Sequence, residues 1–153
     1  LVRTRELQKE TGGFTEFVPL PFVHMAAPMY LQGKSRRGPT FREALLMHAV
    51  GRIAYHGYIP NIQVSWVKMG AEGVTQCLQA GVNDLGGTLM DESISRSAGA
   101  SHGQEMTPAD MEGAIMAAGR IPSQRTTAYA YVERDRPFPP RVEDEHLVAI
   151  AAD

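Results

Sequence analysis

The 153-residue chain has room for one domain with a substantial core and too little for two of ordinary size. Its 15 lysines and arginines nearly balance 17 aspartates and glutamates, so global charge gives no support to a nucleic-acid surface and favours small polar ligands. One cysteine, Cys77, excludes an internal disulfide, and no apolar run reaches the roughly 20 residues that span a bilayer, so the expected setting is cytoplasmic.

Leu1 to Glu10 reads as a helix closed by a left-handed cap at Thr11-Gly12-Gly13. It starts without methionine, as the remainder of something longer would, and shows no signal-peptide pattern. A strand from Phe14 to Val18 follows, limited by Pro19 and Pro21, which remove ladder donors. Glu16 on that strand is either a paired acid or a ligand contact. Residues 22–39 make a long loop with His24, Tyr30, Lys34, Arg36 and Arg37, whose basic cluster is either solvated or set against an acidic group.

Thr40-Phe41-Arg42-Glu43 fits a capping box and opens a helix to about His56. Helical spacing makes Leu46, Ala49, Val50, Ile53 and Ala54 its predicted buried stripe, with His48 and His56 at surface or capping positions. Asn61 to Lys68 alternates as a strand, with Ile62, Val64 and Trp66 on one face and Gln63, Ser65 and Val67 on the other. Gln63 and Ser65 then face a polar interior or solvent, and Trp66 and Lys68 stand at the strand's C-terminal end. The helix from Ala71 to Ala80 turns Val74, Cys77 and Leu78 inward, which makes Cys77 a small core hydrophobe rather than a nucleophile.

The stretch Asn83 to Gly99 organises the rest. A strand near Val82 to Gly86, the pair Gly86-Gly87, and acidic and hydroxyl residues entering a helix near Asp91 to Ala98 describe either a turn or a place where a ligand touches backbone. Asp91 and Glu92 suit a helix N-terminus or a catalytic role, and Arg96 stands at the i,i+4 spacing from Glu92 expected of an ion pair. Thr107-Pro108-Ala109-Asp110 starts a helix that Gly119 ends, and Arg125 to Val132 is the last predicted strand. Alternation of strand and helix argues for an α/β fold, with four parallel strands and crossover helices over 1–132 and a proline-rich tail over 133–153. Four units are half of an eightfold barrel, and the strand C-terminal ends, near Pro21 to His24, Trp66 to Lys68, Gly86 to Glu92 and Tyr129 to Val132, share one rim.

Five segments carry a resemblance: Thr11-Gly-Gly-Phe-Thr-Glu-Phe-Val-Pro-Leu-Pro-Phe22, Gln63-Val-Ser-Trp-Val-Lys68, Asn83-Asp-Leu-Gly-Gly-Thr-Leu-Met90, Glu92-Ser-Ile-Ser-Arg96 and Gly119-Arg-Ile-Pro-Ser-Gln-Arg-Thr-Thr127. In this order they resemble the C-terminal half of the (βα)8 TIM-type barrel of radical SAM enzymes, within them the tyrosine-using part of the deazaflavin-forming FO synthase family. Related menaquinone-pathway enzymes share the general plan. The resemblance implies a reaction in which a 4Fe-4S cluster cleaves S-adenosylmethionine, and a hydroxybenzyl group from tyrosine joins 5-amino-6-ribitylaminouracil. The family's Cys-x-x-x-Cys-x-x-Cys motif is absent, so the cluster and the N-terminal half-barrel are expected outside this chain, which alone is expected to be inactive and to hold no metal.

Carried over, the substrate-binding candidates are Glu16, His24, Gln63, Ser65, Trp66, Asp84, Gly86, Gly87, Thr88, Glu92, Arg96 and Arg125. No general base is assigned, because placement and exclusion of water matter more to radical chemistry. Two alternatives stand beside this: a cluster-free module holding a small polar ligand on the same rim, and a half-barrel that pairs with itself through open strand edges.

Overall fold

The computed structural model describes residues 1–89 and 91–132, and the backbone of 147–151. In chain order the elements are α1 (Val2–Thr11), β1 (Glu16–Phe17), α2 (Pro28–Leu31), α3 (Phe41–Ala54), β2 (Asn61–Ile62), α4 (Trp66–Gln79), α5 (Ile94–Ser97), α6 (Pro108–Ala117), β3 (Ile121–Arg125) and β4 (Leu147–Ala151). Helices and parallel strands alternate over most of the chain, the α/β pattern expected from the sequence. Most of the stretch assigned to a proline-rich tail, 133–146 and 152–153, lies outside the described residues.

β1 pairs with β2 in parallel, and a parallel bridge from Gln63 to Asp84 extends that sheet to the chain before the glycine pair. β3 pairs in parallel with β4. Side chains tie this second pair to the first: Arg120 donates to the carbonyls of Leu78 and Val82, and Arg125 to Asp84. The core lies between sheet and helices, where Ile62, Val64, Val74, Cys77, Leu78, Val82, Leu85, Met111 and Ile115 are buried. Each such aliphatic side chain contributes about 1.5–3 kcal/mol on burial. Both capping boxes form, with Thr40 and Glu43 opening α3 and Thr107 and Asp110 opening α6. The left-handed cap of α1 falls on Gly12, φ 62°.

Several elements depart from the sequence reading. The strands are shorter: β1 keeps two residues, and the strand expected from Asn61 to Lys68 ends early because Ser65 caps α4. Trp66 and Lys68 therefore stand in a helical first turn. α4 is bent at Gly70, φ 69° and ψ 172°, so the expected helix from Ala71 is only its second part. In place of the strand expected from Arg125 to Val132, β3 lies just before it, covering Ile121–Arg125. The chain then folds back, with Thr126 bonding Ala130 and an antiparallel bridge from Arg125 to Tyr131.

α3 faces the other way from its predicted stripe. Ile53 is 77% exposed and Leu46 and Val50 nearly half, while Ala44, His48, Gly51 and the capping residue Tyr55 are buried. Phe17 decides this: its ring sits where a Cβ on Gly51 would lie 2.7 Å from Cε1, so only a helix face without bulk fits. His48, expected at the surface, is fully buried with Nδ1 2.8 Å from the Ala44 carbonyl. Among the described residues no helix is long and apolar enough to cross a membrane.

Candidate functional site

The start of β1, the bridge at Asp84, the end of β3 and the turn after it bring four charged or phenolic side chains into one cluster. Asp84 follows Val82 and Asn83, whose register is fixed by Val64 donating to the Asp84 carbonyl and by Asn83 donating to that of Ile62. Arg125 ends β3 and points its guanidinium at Asp84, with Nε 2.7 Å and Nη2 2.6 Å from Oδ2. Both residues are buried, at 0% and 4% exposure. Burial pushes the Asp84 carboxyl up, against the Gly86 amide and the Arg125 charge that hold it down.

Glu16, the first residue of β1, lies 3.9 Å from the same guanidinium and accepts a 2.5 Å bond from the Tyr129 hydroxyl. The Tyr129 ring lies 4.1 Å beneath the Arg125 guanidinium. Burial, and then donation to Glu16, raises the Tyr129 phenol above its ordinary value.

The glycine pair completes this floor. Gly86 donates its amide to Asp84 Oδ1 at 2.7 Å and holds φ 73°, the left-handed region that glycine enters without strain. A Cβ there would sit 2.9 Å from Gln63 Nε2. Gly87 accepts from the indole of Trp66 at 3.0 Å, which locks that ring in place.

Of the predicted residues, Glu16, Gln63, Asp84, Gly86 and Arg125 therefore converge, and Trp66 and Gly87 stand joined beside them. Ser65 and Thr88 are half-buried. Glu92 is held apart, its carboxylate accepting the Ser95 amide at 3.1 Å, and Ser95 in turn accepts from Lys68. Arg96 does not pair with the Glu92 carboxylate. It turns outward to Asp91 at 2.9 Å because α5 spans only four residues. His24 is not in this cluster; it lines a separate cleft of about 250 Å³, shared with Lys68 and His102.

Sequence reasoning left Tyr129, Lys68, Ser95 and His102 out of the candidate set. Lys68 was visible at the end of an alternating stretch, and Tyr129 in the expected last strand. Nothing local marked Ser95 or His102.

Cys77 is fully buried, and burial pushes its thiol up to about 12. Among the described residues no three histidine, cysteine or acidic side chains converge as metal ligands. A thiolate-held iron–sulfur cluster does not fit the residues present.

A family model described as the CofH/MqnC C-terminal region matches residues 11–138. The chain belongs to that family. It is 55% identical over 135 residues to FO synthase of Nocardia farcinica, covering 88% of this chain and 16% of that protein. It is 50% identical over 141 residues to FO synthase of Streptomyces coelicolor, covering 92% and 16%. With the 5-amino-6-(D-ribitylamino)uracil--L-tyrosine 4-hydroxyphenyl transferase of Methanocaldococcus jannaschii it shares 52% over 129 residues, covering 84% and 36%. The chain thus spans about a sixth to about a third of the length of these curated relatives. No solved structure matches. Family membership agrees with the five ordered segments read from the sequence.

Proposed function

We propose that this chain is the C-terminal half-barrel of a radical SAM transferase of the FO synthase type, joining a hydroxybenzyl group derived from tyrosine to 5-amino-6-ribitylaminouracil. One observation carries the reading: residues 11–138 match the CofH/MqnC C-terminal region, and relatives named for this chemistry align with most of the chain. S-adenosylmethionine cleavage and the 4Fe-4S cluster then belong to a complementary half, since Cys77 is buried and lacks companion ligands among the described residues. This half alone is inactive in that reading, and its open strand edges are closed by the complementary half rather than by a second copy.

The chain's own contribution is to bind, orient and exclude water. Asp84 and Arg125 neutralise each other, so they present a fixed dipole instead of a free charge, and Glu16 is the carboxylate placed to receive donors from a substrate. The indole N–H of Trp66 is committed to Gly87 and its ring is buried at 3% exposure, so it backs the floor of the site rather than stacking on a ligand. Gly86 and Gly87 permit close approach to backbone, and Gln63, Ser65 and Thr88 add half-buried polar groups. Arg96 and Glu92 belong to the outer wall, and His24 to the cleft.

A chimera tests the reading. The chain replaces the aligned segment of the Methanocaldococcus jannaschii transferase, the iron–sulfur cluster is reconstituted, and product formation from tyrosine and the aminouracil is followed. Product, with none from the isolated chain, is the expected result. A cluster-loaded, folded chimera that cleaves S-adenosylmethionine and still makes no product would overturn the assignment.

A further inference from the structure

The cleft that His24 and Lys68 line supports a more specific assignment, which rests on the transferase reading. It encloses about 250 Å³ between the loop after β1, the start of α3, the first turn of α4 and residues 99–102. Among the described residues its walls contain no aspartate or glutamate, whereas Lys68, His24 and His102 all line it.

Lys68 is half-buried and donates to the Ser95 hydroxyl, a neutral partner. Among the described residues no carboxylate lies within the 4.0 Å of an ion pair with it. Glu92 stops at Ser95, 3.1 Å from its amide and 3.4 Å from its hydroxyl, so the acid positions the serine and acts on the ammonium only from behind it, with no direct ion pair. Arg125 differs on this point, since Asp84 already takes two of its donors. His102 is pinned with Nδ1 3.3 Å from the Val67 carbonyl, against Gly70, where a Cβ would lie 3.1 Å from the ring. The His24 ring is held edge-on to Tyr30 at 4.7 Å. Phe22, Phe41 and Met69 supply apolar wall.

A partly desolvated cation with donors to spare, in an apolar cleft without acids, selects an anion that carries an apolar body. We propose that this cleft binds a small aromatic carboxylate, its carboxylate on Lys68 and its ring against Phe22, Phe41 and Met69. In the transferase this ligand is the amino-acid substrate. The cleft offers its ammonium no counter-ion, so recognition rests on the acid end and the ring.

Calorimetry and amide chemical shifts with L-tyrosine, 3-(4-hydroxyphenyl)propionate and tyramine test this on the chain itself. The two acids bind alike, and tyramine, which lacks the carboxylate, binds at least about 10-fold more weakly. Lys68→Met lowers the affinity of both acids by a similar factor, and Lys68→Arg retains most of it. Lys68→Gln substitutes if the methionine variant unfolds, and the tyramine comparison needs no variant. Equal binding of tyramine, unchanged acid binding by a folded Lys68→Met or Lys68→Gln variant, or no response to either acid at about 10 mM overturns the proposal. If these titrations fail while the chimera makes product, only the cleft assignment falls. If they succeed while the chimera is silent, only the reaction assignment falls.

Discussion

The hydroxyl of Tyr129 donates to the carboxylate of Glu16 at 2.5 Å across 113 positions of sequence, joining the turn after β3 to the start of β1. Tyr129 holds φ 61°, a left-handed conformation that costs a non-glycine residue about 1–2 kcal/mol. Its stacking under Arg125 and its bond to Glu16 offset that cost. Tyr129→Phe keeps the ring and loses the bond, so thermal stability should fall by about 1 kcal/mol.

The pH dependence has a definite sign. The phenol's folded pKa is raised, so its contribution is complete below the unfolded value of about 10 and is lost as pH rises towards the folded value. Alkaline unfolding followed by phenolate absorbance should show this loss in the parent chain and not in Tyr129→Phe.

Asp84 and Arg125 make the second prediction. Asp84→Asn preserves shape and removes the charge, leaving a guanidinium of 4% exposure with only Glu16, 3.9 Å away, as a remaining anion among the described residues. Breaking a buried pair from one side costs about 3–5 kcal/mol, and Glu16 moves the expectation towards the lower end. Denaturant unfolding checks it. A loss under about 1 kcal/mol would mean that the saved burial of the Asp84 carboxylate outweighs the orphaned cation.

These residues also show where the sequence was legible. Thr40 with Glu43 and Thr107 with Asp110 carry their instructions within four residues, and both caps form accordingly. Val74, Cys77 and Leu78 sit on one face of α4 as their spacing requires. Gly86 stands where the sequence asks for a residue free to enter the left-handed region. The length of the strand after Asn61 was not legible, because Ser65 could extend a strand or cap a helix and only the tertiary contact of Trp66 with Gly87 distinguishes the two. The inward face of α3 was hidden for a related reason. Its apolar residues follow a helical period, yet a helix packs by shape, and the ring of Phe17 selects the small residues. The Tyr129–Glu16 bond joins residues too distant for any local pattern to connect.

His48 gives a prediction at acid pH. Burial lowers its pKa from 6.5, opposed by the bond to the Ala44 carbonyl, and its Nε2 is buried without a hydrogen-bond partner. The unfolded chain therefore takes up a proton before the folded one does. Stability from this group is complete above about pH 6.5 and is lost as pH falls below it. His48→Leu, which cannot titrate, should flatten the slope of unfolding free energy between about pH 5 and 6.5. An unchanged slope would show that His48 takes up its proton equally in the folded and unfolded chain.

Gly51 sets two effects of known size against each other. In the middle of α3, Gly51→Ala gains about 1 kcal/mol of helix propensity. The added methyl would meet Phe17 Cε1 at 2.7 Å and Cδ1 at 3.0 Å, and Phe17 is itself packed on Tyr55 with ring centroids 4.9 Å apart. Overpacking of this kind costs about 1–3 kcal/mol, so the net effect of Gly51→Ala should be a loss. Phe17→Leu opens the space while losing packing of its own. In a thermal-unfolding double-mutant cycle, Gly51→Ala should be harmful when Phe17 is present and neutral or stabilising in the Phe17→Leu background, with a coupling of about 1 kcal/mol or more. Additive effects would mean that the ring is free to move aside, and that something other than Phe17 turns the small face of α3 inward.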